Sequence, residues 1–163
     1  MLLPNQFWGK SMAKIESDDE ILEFAIFREV EAYHFYMALA KVVDNPEMRK
    51  VLEDFALEEL EHKAKLELEV LKIGRVLPAE KKLPLPSRDD YIISNTNSLL
   101  NMDYKDILLL AIEKEKASFR TYANLASHAI NEESRDILLT IAEEEVKHKY
   151  RFEIEYDMLM KKV

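Results

Sequence analysis

The sequence predicts an all-α chain folded as a four-helix bundle, with two antiparallel helix hairpins joined by a long crossover. Three observations predict it. Only two glycines and five prolines occur in 163 residues, and 34% are charged, mostly Glu and Lys, a composition that favours helix over strand. Apolar residues recur at helical spacing in four stretches. Residues 25–71 and 111–157 align without a gap at an offset of 86 and are identical at 17 of 47 positions, so one helical pair is written twice. With 48% hydrophobic residues the chain can bury one core, and residues 1–163 are expected to form a single domain.

The first helix is expected over 18–43. Ser17-Asp18-Asp19-Glu20 reads as a capping box, and Leu22, Ala25, Ile26, Ala32, Tyr33, Tyr36, Leu39 and Val43 follow as an apolar stripe. Asn45 before Pro46 opens the second helix, expected over 46–73, with Val51, Leu52, Phe55, Ala56, Leu66 and Val70 as its stripe and Gly74 as its stop. Asp103 with Asp106 opens the third, over 103–129, with the stripe Leu108, Ala111, Ile112, Phe119, Tyr122 and Ala126. Asn131 caps the fourth, over 132–161. Each hairpin turn is a few residues long, which forces its two helices to run antiparallel.

Residues 75–102 hold Pro78, Pro84, Pro86 and an Asn/Ser/Thr-rich stretch that no single helix could contain. At about 3.3 Å per residue this segment outreaches the roughly 40 Å of a 27-residue helix, so it can return along the whole bundle as a crossover. A short helix is expected at 91–101. Residues 1–17 are expected to form an N-terminal tail, including Phe7 and Trp8, that could dock on the bundle, bind another subunit or stay loose.

The chain has no cysteine, which excludes disulfides, thiolate metal sites and iron–sulfur ligation by its own residues. Met1-Leu2-Leu3-Pro4 opens no basic, then apolar, leader, and no stretch is long enough to span a bilayer; a cytoplasmic location is expected. A net charge of −9 argues against nucleic acid or membrane as partner, since both reward clustered Lys and Arg.

The duplicated positions carry the chemistry. Glu29 pairs with Glu115, Glu59 with Glu145 and His62 with His148, so each half holds a Glu 30 residues before a Glu-x-x-His. About 15 residues separate each of these positions from its hairpin turn, which puts all six at one height in the bundle. Glu29 has Leu22, Ala25, Ile26, Ala32, Tyr33 and Tyr36 on its own face. Glu59 and His62 lie among Leu52, Phe55 and Leu66, Glu115 among Leu108, Ile112, Phe119 and Tyr122, and Glu145 and His148 among Leu138, Ile141 and Phe152.

Four buried carboxylates must be protonated, paired or neutralised by cations. No Lys or Arg shares their stripe. Two divalent ions would balance the four negative charges, and a nitrogen and oxygen donor set suits Fe or Mn. Glu58 and Glu144 are expected to accept the free N–H of His148 and His62 across the bundle, since a ligating imidazole usually donates to a carboxylate. Tyr36 and Tyr122, two turns beyond Glu29 and Glu115, are candidates to hydrogen-bond a carboxylate or bound oxygen species. His34 and His128 lie outside the stripes. A single Glu-x-x-His would be a weak signal, because i, i+3 pairs often serve as surface contacts; the duplication is what makes it specific.

Over roughly residues 18–162 this pattern resembles the ferritin-like di-iron carboxylate proteins, and most closely the rubrerythrin group. The resemblance implies Glu29 and Glu115 as terminal ligands, Glu59 and Glu145 as bridging ones, and His62 and His148 as one ligand to each of two Fe ions, with Mn or a mixed Fe/Mn pair as alternatives. It implies an oxidoreductase acting on peroxide or dioxygen, in a homodimer or larger homo-oligomer. Two departures stand out. Rubrerythrins commonly carry a further carboxylate three residues after the third helix's ligand Glu, where this chain has Ser118, and a four-cysteine rubredoxin-like domain, whereas these 163 residues hold no cysteine. Electrons would then come from an external electron-donor protein. Ferroxidase or iron-storage activity, and a metal-free helical interaction module, are the competing expectations.

Overall fold

The computed structural model describes residues 17–75 and 102–162. The N-terminal tail with Phe7 and Trp8, and the crossover with its short helix at 91–101, lie outside the described residues. Four helices occur in the order α1 (Asp18–Val42), α2 (Pro46–Lys72), α3 (Tyr104–His128) and α4 (Glu132–Lys161). α1 packs along α2 and α3 along α4, and α2–α4 and α1–α3 contacts close the bundle.

The repeat is visible in how the hairpins turn. Asn45 accepts the Met48 amide at 3.1 Å, and Asn131 accepts the Glu133 amide at 2.8 Å. In the same register Arg49 reaches the Val43 carbonyl at 2.8 Å and Arg135 the Ala129 carbonyl at 3.1 Å, so each turn is closed twice, by a cap and by a guanidinium. α2 ends at Gly74, whose φ of 79° is a left-handed conformation that a side chain would strain. The Gly74 and Arg75 amides donate to the Leu71 and Val70 carbonyls, the bonding pattern that ends a helix on such a residue.

Ser17 stands at the start of α1 but makes no side-chain cap, contrary to the capping-box reading. Asp18 is used instead: its carboxylate accepts the Ile130 and Asn131 amides at 2.9 and 2.7 Å, tying the start of α1 to the turn after α3. Arg75 lies 3.9 Å from Asp19 at the same end. α1 therefore runs antiparallel to both α2 and α3, and the connection from Arg75 to Met102 joins opposite ends of the bundle.

Two helices depart from the expected stripes. Phe119 is 42% exposed, because the buried arc of α3 passes through Ala111, Ser118, Tyr122 and Leu125 and leaves the position four after Glu115 at its edge. α1 is buried almost all round, with Phe27, Val30, Ala38 and Ala40 as well as the expected stripe, and only Glu20, Glu23 and Lys41 exposed. The buried apolar residues form two clusters. One gathers Tyr36, Leu39, Met48, Leu52, Ile107, Leu108 and Phe152, the other Ile21, Leu22, Ile26, Leu66, Tyr122, Leu125, Leu138 and Ile141. Between them along each helix lies a layer of charge. Among the described residues no helix is long and apolar enough to cross a membrane.

Candidate metal centre

That layer is made by Glu29 of α1, Glu59 and His62 of α2, Glu115 of α3, and Glu145 and His148 of α4, each at most 2% exposed. They fall into two groups: Glu29, Glu59, His62 and Glu145, and Glu59, Glu115, Glu145 and His148. Within each group one donor atom per residue lies within 4.8 Å of the others. Glu59 and Glu145 belong to both.

The outer edge of each imidazole is fixed by a carboxylate from across the bundle. His148 donates its Nε2–H to Glu58 at 2.7 Å, and His62 donates its Nε2–H to Glu144. Each ring therefore turns Nδ1 inward, where a neutral imidazole carries a lone pair. His148 Nδ1 lies 3.2 Å from Glu59 Oε1, and His62 Nδ1 lies 3.6 Å from both Glu29 Oε2 and Glu145 Oε1. Two acceptors face each other at that range only with a proton or a cation between them. The same need recurs throughout the layer: Glu29 Oε2, Glu59 Oε1, both oxygens of Glu115 and Glu145, and Nδ1 of both histidines are buried without a hydrogen-bond partner. Unpaired oxygens and imidazole nitrogens converging from four helices, with no sulfur among them, fit a pair of hard or intermediate divalent ions. The Glu144→Gln variant keeps an acceptor for His62 but removes the charge, and is expected to weaken metal binding by about 10–100-fold in a chelator competition.

Protonation follows from the crowding. Burial pushes the Glu29 carboxyl up to about 8, and the Glu59 charge adds to the shift. Burial, then the charges of Glu115, Glu59 and Glu29, hold the acid form of Glu145 well above the usual carboxylate range. Burial works the same way on Glu59, but the close approach of His148, whose Nδ1 is 3.2 Å from Glu59 Oε1, and of Glu29 outweighs it and holds Glu59 at about 2. Burial opposes a second proton on His148, yet Glu115 and Glu59 raise it to about 10. The cluster competes for protons with the same lone pairs it can offer a cation.

The tyrosines break the symmetry. Tyr122 donates its hydroxyl to Glu29, with the Ala25 carbonyl 3.3 Å away, whereas the Tyr36 hydroxyl is buried without a partner. The Tyr36 ring stacks near Phe152 at 6.0 Å and stands edge-on to His148 at 6.3 Å. Lys114 marks the difference. Its ammonium lies 5.0 Å from the Tyr36 ring centre, 3.8 Å from Glu115 Oε1 and 3.4 Å from the Ser118 hydroxyl. A cation thus does reach the carboxylates, correcting the expectation that none shares their face: the flexible stem of Lys114 carries its charge inward from the position beside Glu115. Both repeats place a base just before the upstream Glu, Arg28 and Lys114, and that was the signal available in the sequence. Glu31 was also missed. It is partly buried, burial raises it to about 7, and the charges of Arg28 and Lys114 pull the other way. Of the remaining histidines, His128 is exposed and bonded to its own helix end, and His34 is half-buried against Tyr33.

A four-helix bundle with a duplicated carboxylate and histidine layer at mid-height defines a class, the ferritin-like di-metal proteins. The rubrerythrin family model matches residues 20–156, and the chain belongs to the rubrerythrin family, within the ferritin-like di-iron superfamily. No curated protein matches the sequence. Among solved structures, a hypothetical protein from Pyrococcus furiosus is similar over 93% of this chain and 95% of its own, with a TM-score of 0.67 and 23% identity. KatB, a manganese catalase from Anabaena PCC7120, is similar over 91% of this chain and 77% of its own, with a TM-score of 0.63 and 18% identity. At such identities these likenesses are of fold.

Proposed function

We propose that the chain is a cytoplasmic oxidoreductase that reduces hydrogen peroxide or dioxygen at two iron ions held by Glu29, Glu59, His62, Glu115, Glu145 and His148, with electrons from a separate donor protein. The observation that carries the reading is the pair of overlapping donor groups, which would give each ion its own histidine and share Glu59 and Glu145 between them. Paired redox metals bound there supply the Lewis acidity and electrons that cleavage of an O–O bond needs.

The chain's own residues do the rest. Glu58 and Glu144 hold the imidazoles in the tautomer that presents Nδ1 inward. Tyr122 orients Glu29 through its hydroxyl, and burial, with the Glu29 charge, keeps that phenol protonated. Tyr36, whose ring stands edge-on to His148, has a buried hydroxyl without a hydrogen-bond partner and is the candidate proton donor. Reducing one peroxide to two waters consumes two electrons and two protons, so the site needs both a donor protein and such groups. The two apolar clusters above and below keep bulk water from the layer.

The test is metal analysis of protein purified without chelator, followed by peroxide added to the reduced protein. Two iron ions per chain, a rapid absorption change, and turnover once a donor is supplied are the expected result. Dioxygen released from peroxide without a donor would make the protein a catalase, with manganese as the alternative metal. Fe(II) oxidised and retained far beyond two per chain would make it an iron-handling protein. Far fewer than two ions would leave a helical interaction module.

A further inference from the structure

We infer that the outward face of α2 is a twofold interface with a second copy of this chain. Opposite the metal layer, α2 carries Leu57, Leu60, Ala64, Leu68 and Leu71, and the four leucines remain 58%, 36%, 53% and 50% exposed. At 1.5 Å per residue this stripe is about 21 Å long. Surface leucines scattered singly need no explanation, but a row of four along one helix does.

The row reads the same in both directions. Its spacings are three, four, four and three, centred on Ala64. A twofold axis through Ala64 lays two α2 helices antiparallel, with Leu57 against Leu71 of the other copy and Leu60 against Leu68, and the small alanine lets the backbones approach where they cross. The charges around the row obey the same symmetry. The axis sets Glu53 and Asp54, at the acidic beginning, beside Lys72 and Arg75, at the basic end of the other copy. In the bundle Asp54 and Arg75 make exposed contacts with Lys50 and Asp19 that leave their own side chains 50% and 63% exposed, and Glu53 and Lys72 are exposed as well.

The internal repeat supplies the control. The corresponding residues of α4 are Glu143, Val146, Tyr150, Ile154 and Asp157. The same axis through Tyr150 would face Glu143 with Asp157 of the other copy, like charge against like, so α4 cannot pair with itself in this way. Leucine at both ends of the row occurs in α2 and not at the matching positions of α4, while the inward Leu52, Ala56, Glu59 and His62 of α2 recur in α4 as Leu138, Ala142, Glu145 and His148.

Because the chain has no cysteine, a single Ala64→Cys substitution probes the axis directly. Sedimentation equilibrium of the full chain is expected to show a dimer, and Ala64→Cys is expected to form an interchain disulfide under mild oxidation, whereas Lys50→Cys is not. Leu60→Glu with Leu68→Glu places acids against acids across the axis and is expected to give a monomer of unchanged helicity. Mixing it with Leu60→Lys, Leu68→Lys is expected to restore a dimer. A monomeric wild type overturns the proposal, as does a dimer indifferent to both pairs of substitutions. If the acidic variant loses thermal stability with no change of mass, residues 76–101 of the same chain cover the row, and the proposal is equally overturned.

Discussion

Saturating the metal-free chain with Fe(II) or Mn(II) is expected to raise its thermal midpoint by about 10 °C near pH 8, and by clearly less near pH 6. A ligand at a thousand times its dissociation constant stabilises by about 4 kcal/mol. A chain of this size shifts by roughly 2–4 °C per kcal/mol. The pH dependence comes from the proton competition within the layer. Glu29 titrates at about 8 in the fold against an ordinary 4.5, so the stability its acid form contributes is complete below 4.5 and lost as pH rises through 8. His148, at about 10 against 6.5, contributes stability that is complete below 6.5 and lost as pH rises through 10. The metal-free fold should therefore weaken between pH 6 and 8. Glu59, held at about 2, acts in the opposite sense, but only in acid below its ordinary 4.5. A cation replaces the protons, so its affinity grows over the range where the metal-free fold weakens. Calorimetry at pH 6, 7 and 8, with metal and with chelator, reads the widening gap. A gap that is equal at all three values would sink the reading that these protons and a metal occupy the same lone pairs.

The sequence made the inward faces legible because duplication works as an internal comparison: the metal layer and the turn caps recur at an offset of 86. It was least informative where the two halves differ or where a side chain bends. Repeat arithmetic treats Tyr36 and Tyr122 alike, yet of the two only the Tyr122 hydroxyl meets a carboxylate, while the Tyr36 ring lies under Lys114. Lys114 itself was invisible to a stripe count, because four methylenes let a residue on the flank of a helix deliver its charge to the centre. Phe119 was misplaced because the helical stripe has a width that periodicity cannot set: four residues after Glu115 falls inside or outside according to how α3 is rotated against its neighbours. Ser17 matched a capping box by spelling, but the start of α1 is held by a long-range bond from Asp18 that no local motif encodes. The closing role of Arg49 and Arg135 was written in the repeat as an identity and lacked only a carbonyl to explain it.

Glu145→Leu is expected to make the chain more stable in chelator while abolishing its response to metal. Glu145 is 1% exposed, both its oxygens lack partners, and it sits among three other carboxylates. Leucine has a similar volume and carries no desolvation penalty. Exchanging buried charge for well-packed apolar groups is often neutral or stabilising by about 1–4 kcal/mol. The response to metal should vanish because Glu145 belongs to both donor groups. Glu115→Leu is the informative companion, since neither oxygen of Glu115 has a hydrogen-bond partner, the Lys114 ammonium standing off at 3.8 Å, but Glu115 belongs to one group, leaving Glu29, Glu59, His62 and Glu145 intact. It should gain similar stability in chelator and still bind one ion. Denaturant midpoints in chelator and metal stoichiometry together separate the cases. If Glu145→Leu unfolds more easily than the parent, the carboxylate has a structural partner and the layer is no metal site kept at a cost to the fold. If both variants retain the same number of ions, the shared position of Glu145 between the two groups is wrong. With the expected outcome, this bundle keeps an acidic interior that its own folding disfavours, and only a bound cation gives those oxygens a purpose.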